Sequence, residues 1–312
     1  MAPISSLPQS LPAPRHLVNA RLWMEFFLRY NVLIMKQLPN LGVLIDNSIE
    51  LGRKHLSESL AVIIWPIIAS IPFPLGQVIG LLDQTVVKDA SNYFSFGFSL
   101  LGAILIFITS IWTNNALILT LEGASKKLPA KTIYRQAIQK IVPVFLIKVL
   151  VGIIIFLSIL PIIPGLLLGY LDQNSISLGT ISGLLFFVGG IIALILLCHF
   201  ALSTYYANYQ NLLLNQTSTT AIKASLKLVK DRWWHTAWLW IVPKIILTFA
   251  LLVALYVSGL FFEQLVTIFQ ENTPITVILI FLAMLVNLAL PWFFAPGIIA
   301  TDYTLFKALT DE

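Results

Sequence analysis

Charged side chains divide this sequence into long apolar stretches. Runs free of Asp, Glu, Lys and Arg cover residues 59–82, 90–121, 149–171, 173–222, 245–262 and 272–301. A helix that crosses a bilayer needs about 20 mostly apolar residues. Within the longest run, residues 178–208 read as one helix, so the pattern predicts six spans. Its period is helical, and the short alternating segments of a membrane β-barrel are missing. Pro66, Pro72, Pro74, Pro161, Pro164, Pro291 and Pro296 fall within the spans. Kinks at these positions are tolerable where neighbouring helices satisfy the freed carbonyls. The predicted fold class is all-α, a polytopic membrane bundle of six transmembrane helices.

Each odd span is preceded by a basic stretch whose apolar residues recur at i, i+4, i+7 and i+11, one face of a helix. The first is Ile45, Ile49, Gly52, Leu56; the second Tyr134, Ile138, Ile141, Phe145; the third Ile222, Leu226, Val229, Trp233. The third carries Lys223, Lys227 and Lys230 on a neighbouring face. The stretches begin 89 and 88 positions apart. The far ends of the odd spans repeat as well: Gly80-Leu-Leu-Asp83-Gln84 matches Gly169-Tyr-Leu-Asp172-Gln173, with a looser copy around Gly259 and Glu263. Asn115, Asn208 and Asp302 mark corresponding places at the inner ends of the even spans. The pattern therefore predicts three units, about 41–125, 126–218 and 219–310. Each is an interfacial amphipathic helix followed by a helical hairpin. Polar groups are costly in lipid, so Asn115, Asn208 and Asp302 are expected to gather between the even helices or to reach the headgroup layer.

Composition agrees with the span count. Of 312 residues, 58% are hydrophobic and only 11% charged, and the mean hydropathy is +0.89. So few charges cannot cover the surface of a soluble globule, where about 25% is usual. A soluble enzyme, a nucleic-acid-binding module and a secreted disulfide scaffold are excluded. The net charge of +5 reports orientation instead. Arg15, Arg21, Arg29, Lys36, Arg53 and Lys54 precede the first span. Lys126, Lys127, Lys131, Arg135 and Lys140 follow the second, and Lys223, Lys227, Lys230 and Arg232 follow the fourth. The opposite side has Lys88 with Asp83, Asp89, Asp172, Glu263 and Glu271. The basic side is therefore expected to be cytoplasmic, with both termini on it, in a bacterial inner membrane. Lys148 and Lys244 lie a short way into spans three and five and are expected to snorkel to that interface.

Residues 1–14, with four prolines, read as a disordered lead-in without a signal-peptide h-region. Residues 15–40 read as an N-terminal amphipathic helix, either in the interface or packed on the bundle. The lone cysteine, Cys198, allows no intramolecular disulfide. No spacing of His, Cys, Asp or Glu makes a metal site, and no Ser or Cys has a base and orienter beside it. The sequence thus predicts no catalytic residue and no cofactor. The expected partners are membrane lipids, with anionic headgroups on the cytoplasmic side; protein partners are left open and nucleic acid is not expected.

Thr220-Ala-Ile-Lys-Ala-Ser-Leu-Lys-Leu-Val-Lys-Asp-Arg-Trp-Trp234, and the segment from Asn114 through Pro164 with Leu-Glu-Gly-Ala-Ser-Lys-Lys, carry a family pattern. Both resemble the YciC-like six-span bacterial inner-membrane proteins and the membrane domain attached to some glycerophosphodiester phosphodiesterases. The resemblance covers about residues 41–310, and its motifs describe architecture. It implies no activity here, because the phosphodiesterase chemistry belongs to a separate soluble barrel for which this chain has no room. The proline-rich start and the 15–38 segment depart from the family's short N-terminus. The sequence favours a non-catalytic protein that organises lipids or scaffolds partners. A transporter or channel for a small solute or lipid is the alternative, and a lipid-modifying membrane enzyme is a weaker one.

Overall fold

The structure, a computed structural model, describes residues 39–82, 90–126, 128–171, 176–270 and 272–310. The lead-in at 1–14, nearly all of the 15–40 helix, and the far-end acids Asp83 and Asp172 lie outside the described residues.

Every described element is a helix. In chain order they are α1 (Leu41–Lys54), α2 (Leu56–Ser70), α3 (Pro72–Leu82), α4 (Ala90–Lys126), α5 (Ala130–Gln139) and α6 (Ile141–Ile159). After a 3₁₀ turn at Leu160–Ile162 come α7 (Ile163–Leu171), α8 (Ile176–Tyr205), α9 (Ala207–Leu214), α10 (Ser218–Lys230), α11 (Trp233–Ile268) and α12 (Thr273–Thr310). Six helices are long and apolar enough to cross a membrane: Leu56–Gly80, Tyr93–Gly123, Ile141–Tyr170, Gly179–Leu214, Trp233–Ile268 and Pro274–Thr310. The third and fifth start well before the predicted 149 and 245, because Lys148 and Lys244 interrupt the apolar run without interrupting the helix. At about 1.5 Å per residue, the 36 residues of α11 extend roughly 54 Å, well beyond a hydrocarbon core of about 30 Å.

The three basic amphipathic stretches form separate helices, each broken from the span that follows it. The breaks fall at His55, Lys140 and Asp231-Arg232. Asn40 caps α1, its side chain accepting from the Gly42 N–H at 3.4 Å. Before α10, Asn215 adopts a left-handed conformation (φ 53°), which Asn tolerates better than most residues. Lys140 holds this turn by donating to the Asn215 Oδ1 at 2.9 Å and to the Asn211 carbonyl at 3.3 Å.

In α1 and α5 the buried face differs from the predicted one, whereas in α10 the predicted Ile222 and Val229 are buried. In α1 and α5 the row is displaced by one residue. Leu44 and Ser48 are buried in α1, and Ile133 and Ala137 in α5, while Ile49 and Ile138 are exposed. In α10, Ala221, Ile222, Ser225 and Val229 are buried. The small members Ser48, Ala137 and Ser225 let each helix lie close to its neighbour. Helix α1 packs on α12, α5 on α4, and α10 on α8 and α9, so each amphipathic helix lies against the basic end of an even span. Ser225 donates to the Ser203 carbonyl of α8 at 2.7 Å. Asn115 of α4 donates to the Ala137 carbonyl at 3.4 Å.

Packing differs between the two ends of the spans. The largest fully buried side chains, among them Tyr206, Phe306, Leu44, Ile63, Leu117, Ile147 and Leu239, all lie toward the basic end. There all but Ile147 form one continuous core with the amphipathic helices, and Ile147 packs in a second cluster with Ala207, Ala221 and Ile222. Toward the far end the contacts rest mainly on small residues, and α3 packs on α4 and α7 on α8. A Cβ added at Gly102 would collide with the backbone of Phe73, and one at Gly165 with that of Phe186. One at Gly189 would collide with the Pro161 carbonyl. Small residues that admit such close backbone approach are the usual means of helix association in lipid, where apolar burial supplies no drive. The contacts keep register. Gly165 and Gly169 stand 89 positions after Gly76 and Gly80, and Gly189 stands 87 after Gly102. Gly259 of α11 meets no neighbour, so the last pair lacks this contact.

Candidate functional site

Among the cavities of the described residues, one of about 500 Å³ opens at the basic end of the bundle, between five spans. Asn114 and Ile118 of α4, Lys148, Val151, Gly152 and Ile155 of α6, and Ala201, Thr204 and Tyr205 of α8 line it. Asn208 and Tyr209 of α9, Trp240 of α11 and Ile299 of α12 complete the wall. Most of the lining is apolar. Its polar residues are Lys148, Asn114, Asn208, Thr204, Tyr205, Tyr209 and Trp240, of which the Thr204 hydroxyl donates to the Phe200 carbonyl and the Tyr205 hydroxyl to Asp302.

Tyr205 and Trp240 connect the cavity to a buried ion pair. Lys244 of α11 pairs with Asp302 of α12, whose other carboxylate oxygen accepts from the Tyr205 hydroxyl. The ammonium also lies over two rings, 4.5 Å from the Tyr205 centroid and 4.3 Å from that of Trp240. Asp302 is only 1% exposed. A buried charge in a membrane protein needs a partner of opposite sign, and here each supplies the other. Lys244 therefore does not snorkel to the headgroups as its position suggested. Its amine turns inward because α12 offers a carboxylate at matching depth. Lys148 has no such carboxylate. Among the described residues it has neither an ion pair nor a hydrogen bond.

Asn115, Asn208 and Asp302 make no hydrogen bond to one another among the described residues. Asn115 bonds to α5, Asp302 belongs to the ion pair, and Asn208 lines the cavity with Asn114. The Asn208 Oδ1 is out of reach of solvent and has no hydrogen-bond partner, and the same holds for the Trp240 indole N–H. Glu263 is exposed toward the far end of α11, and Lys223, Lys227 and Lys230 are all exposed along α10.

A second polar set joins α4 to α12. The Glu122 carboxylate accepts from the Tyr303 hydroxyl at 2.6 Å and pairs with Lys307 at 3.0 Å. Tyr303 and Lys307 are one helical turn apart, while Asp302 points to the other side of α12. His199, a neighbour of Cys198, stacks on Trp233 with centroids 5.8 Å apart. Neither Tyr205 nor the partnership of Lys244 with Asp302 was anticipated from the sequence. The available signal was simple: toward their basic ends span five carries Lys244 and span six carries Asp302, and the signs are opposite.

Comparison of the chain with protein-family models, with curated proteins and with solved structures finds no match. The reading of function therefore rests on the residues and their geometry.

Proposed function

We propose that this chain is a non-catalytic, multi-pass protein of a bacterial inner membrane that organises lipids or partner proteins at the cytoplasmic face. Both termini lie on that face. The observation that carries the reading is the construction of the basic end. Helix α10 is anchored through Ala221, Ser225 and Val229, which fixes Lys223, Lys227 and Lys230 outward. Basic helices at the membrane surface attract anionic lipid by about 1 kcal/mol per Lys or Arg. The resemblance to YciC-like proteins belongs to this proposal, as does the threefold repeat. The repeat is supported by the buried pairs Leu44/Ser48, Ile133/Ala137 and Ala221/Ser225, which fall at 89- and 88-residue intervals. Profiling a deletion strain for lipid composition and small-solute uptake tests the reading. Altered lipid composition with unchanged uptake supports it, and loss of uptake of one solute class with normal lipids overturns it.

The second reading, a transporter for a small solute or lipid, is favoured by one observation. The 500 Å³ cavity carries Lys148 and borders the Lys244–Asp302 pair, and ionisable residues within spans commonly mark transport pathways. The same uptake measurement decides between the two.

A further inference from the structure

We infer that the cavity around Lys148 is a binding site for one glycerophospholipid, with its phosphate on Lys148 and an acyl chain along the α6 face below it. This rests on the lipid reading above and names the site at which a single lipid is held.

Three features converge. The first is charge. An ammonium at the edge of the hydrocarbon layer either snorkels to the interface or is met by an opposite charge. Lys244 is compensated by Asp302, whereas Lys148, on the other side of the same cavity region, has no anion among the described residues. A ligand phosphate supplies that charge, in the charge-assisted geometry that makes such bonds strong.

The second is unmet hydrogen bonding. Two polar residues of this cavity, Asn114 and Tyr209, make no side-chain hydrogen bond among the described residues, and an amide and a phenol can each donate one. Both line the same wall. The set suits the several oxygens of a phosphodiester and its glycerol.

The third is the shape of the α6 face. Lys148, Val151, Gly152 and Ile155 follow at helical spacing, so a cation is succeeded by an apolar stripe running deeper into the membrane. Ile155 lies about 10 Å beyond Lys148 along the axis. Gly152 is exposed, and a Cβ there would meet nothing within 4 Å, which leaves room for a chain. A soluble anion would use the lysine and leave this stripe bare; an amphiphile uses both.

The test is binding of phosphatidylglycerol to the delipidated full chain, counted by native mass spectrometry. Diacylglycerol, glycerol 3-phosphate and inorganic phosphate are compared with it. The wild type should retain one phosphatidylglycerol. Lys148→Gln should weaken it about tenfold, the loss expected for one charge-assisted bond, and Lys148→Arg should keep it. Gly152→Leu, placed in open space and so compatible with folding, should weaken it by obstructing the chain. Unchanged retention in both Lys148→Gln and Gly152→Leu would overturn the inference. Equal binding of diacylglycerol would remove the phosphate from it, and displacement by inorganic phosphate alone would make the site one for a free anion. Replacing Lys223, Lys227 and Lys230 together by Gln should leave the single retained lipid in place. If no single lipid is retained while the deletion strain still shows altered lipids, this site is refuted and the broader reading stands.

Discussion

Lys244 and Asp302 face each other across the two last spans, and each removes the cost of the other's burial. Deleting one partner strands the other, which typically costs about 3–5 kcal/mol, whereas replacing both by apolar residues of similar size is often near neutral. Asp302→Ala is therefore expected to lower thermal stability in detergent sharply. Lys244→Met combined with Asp302→Leu should recover most of the loss. Asp302→Asn, which keeps an acceptor for the Tyr205 hydroxyl, should fall between them. Size-exclusion survival after heating measures all three, and additive losses in the double variant would show that the two residues do not act as a pair.

Orientation is tested by labelling. In a Cys198→Ser background, Glu263→Cys should react with a membrane-impermeant maleimide added to intact spheroplasts. Lys227→Cys should react only after permeabilisation. The reverse pattern would invert the assignment of sides that rests on the distribution of basic residues.

Close helix approach predicts a contrast among glycines. Gly102→Ala and Gly165→Ala place a methyl group against the backbone of Phe73 and of Phe186. Overpacking of this kind costs about 1–3 kcal/mol. Gly183→Ala, in a helix with open space around it, should be neutral or gain up to about 1 kcal/mol from helix propensity. Melting of the purified variants in one detergent provides the comparison. Equal effects at all three positions would argue against tight pairing of α3 with α4 and of α7 with α8.

The α10 lysines should act additively and in a salt-sensitive way. Replacing Lys223, Lys227 and Lys230 by Gln is expected to reduce the enrichment of anionic lipid around the reconstituted protein. Each lysine should contribute about 1 kcal/mol near the surface, and the difference should shrink as added salt shortens the Debye length below about 8 Å. Quenching of Trp234 or Trp238 fluorescence by brominated anionic lipid reports the enrichment; both rings are exposed beside α10. A variant indistinguishable from wild type at low salt would remove these residues from lipid recognition.

The spans were readable from charge spacing alone, because lipid tolerates few charges and the sequence obeys that limit. The readable part stopped where side-chain size mattered more than polarity. The amphipathic helices turn Ser48, Ala137 and Ser225 inward. The large apolar residues of the predicted rows, Ile49 and Ile138, face outward instead. Close packing favours small groups whatever their polarity, and hydrophobic periodicity does not register them. The cavity was hidden for a related reason. Asn114, Lys148 and Asn208 are 34 and 60 positions apart in sequence, and only the crossing of three spans brings them to one wall. The Lys244–Asp302 pair was closer to hand, since it required only that two opposite charges at equal depth be matched.

Bulky packing at the basic end and small-residue pairing at the far end give the two ends of the bundle different mechanical roles. The side chains that lock the spans together lie toward the basic end, which makes that end the footing. Toward the far end the first two helix pairs touch through glycines. A bilayer a few ångströms thinner or thicker is accommodated there by tilt, at a modest cost per ångström, while the register of the footing is kept. Changes in acyl-chain length should accordingly alter helix tilt on one side of the membrane and leave the Lys244–Asp302 contact on the other side unchanged.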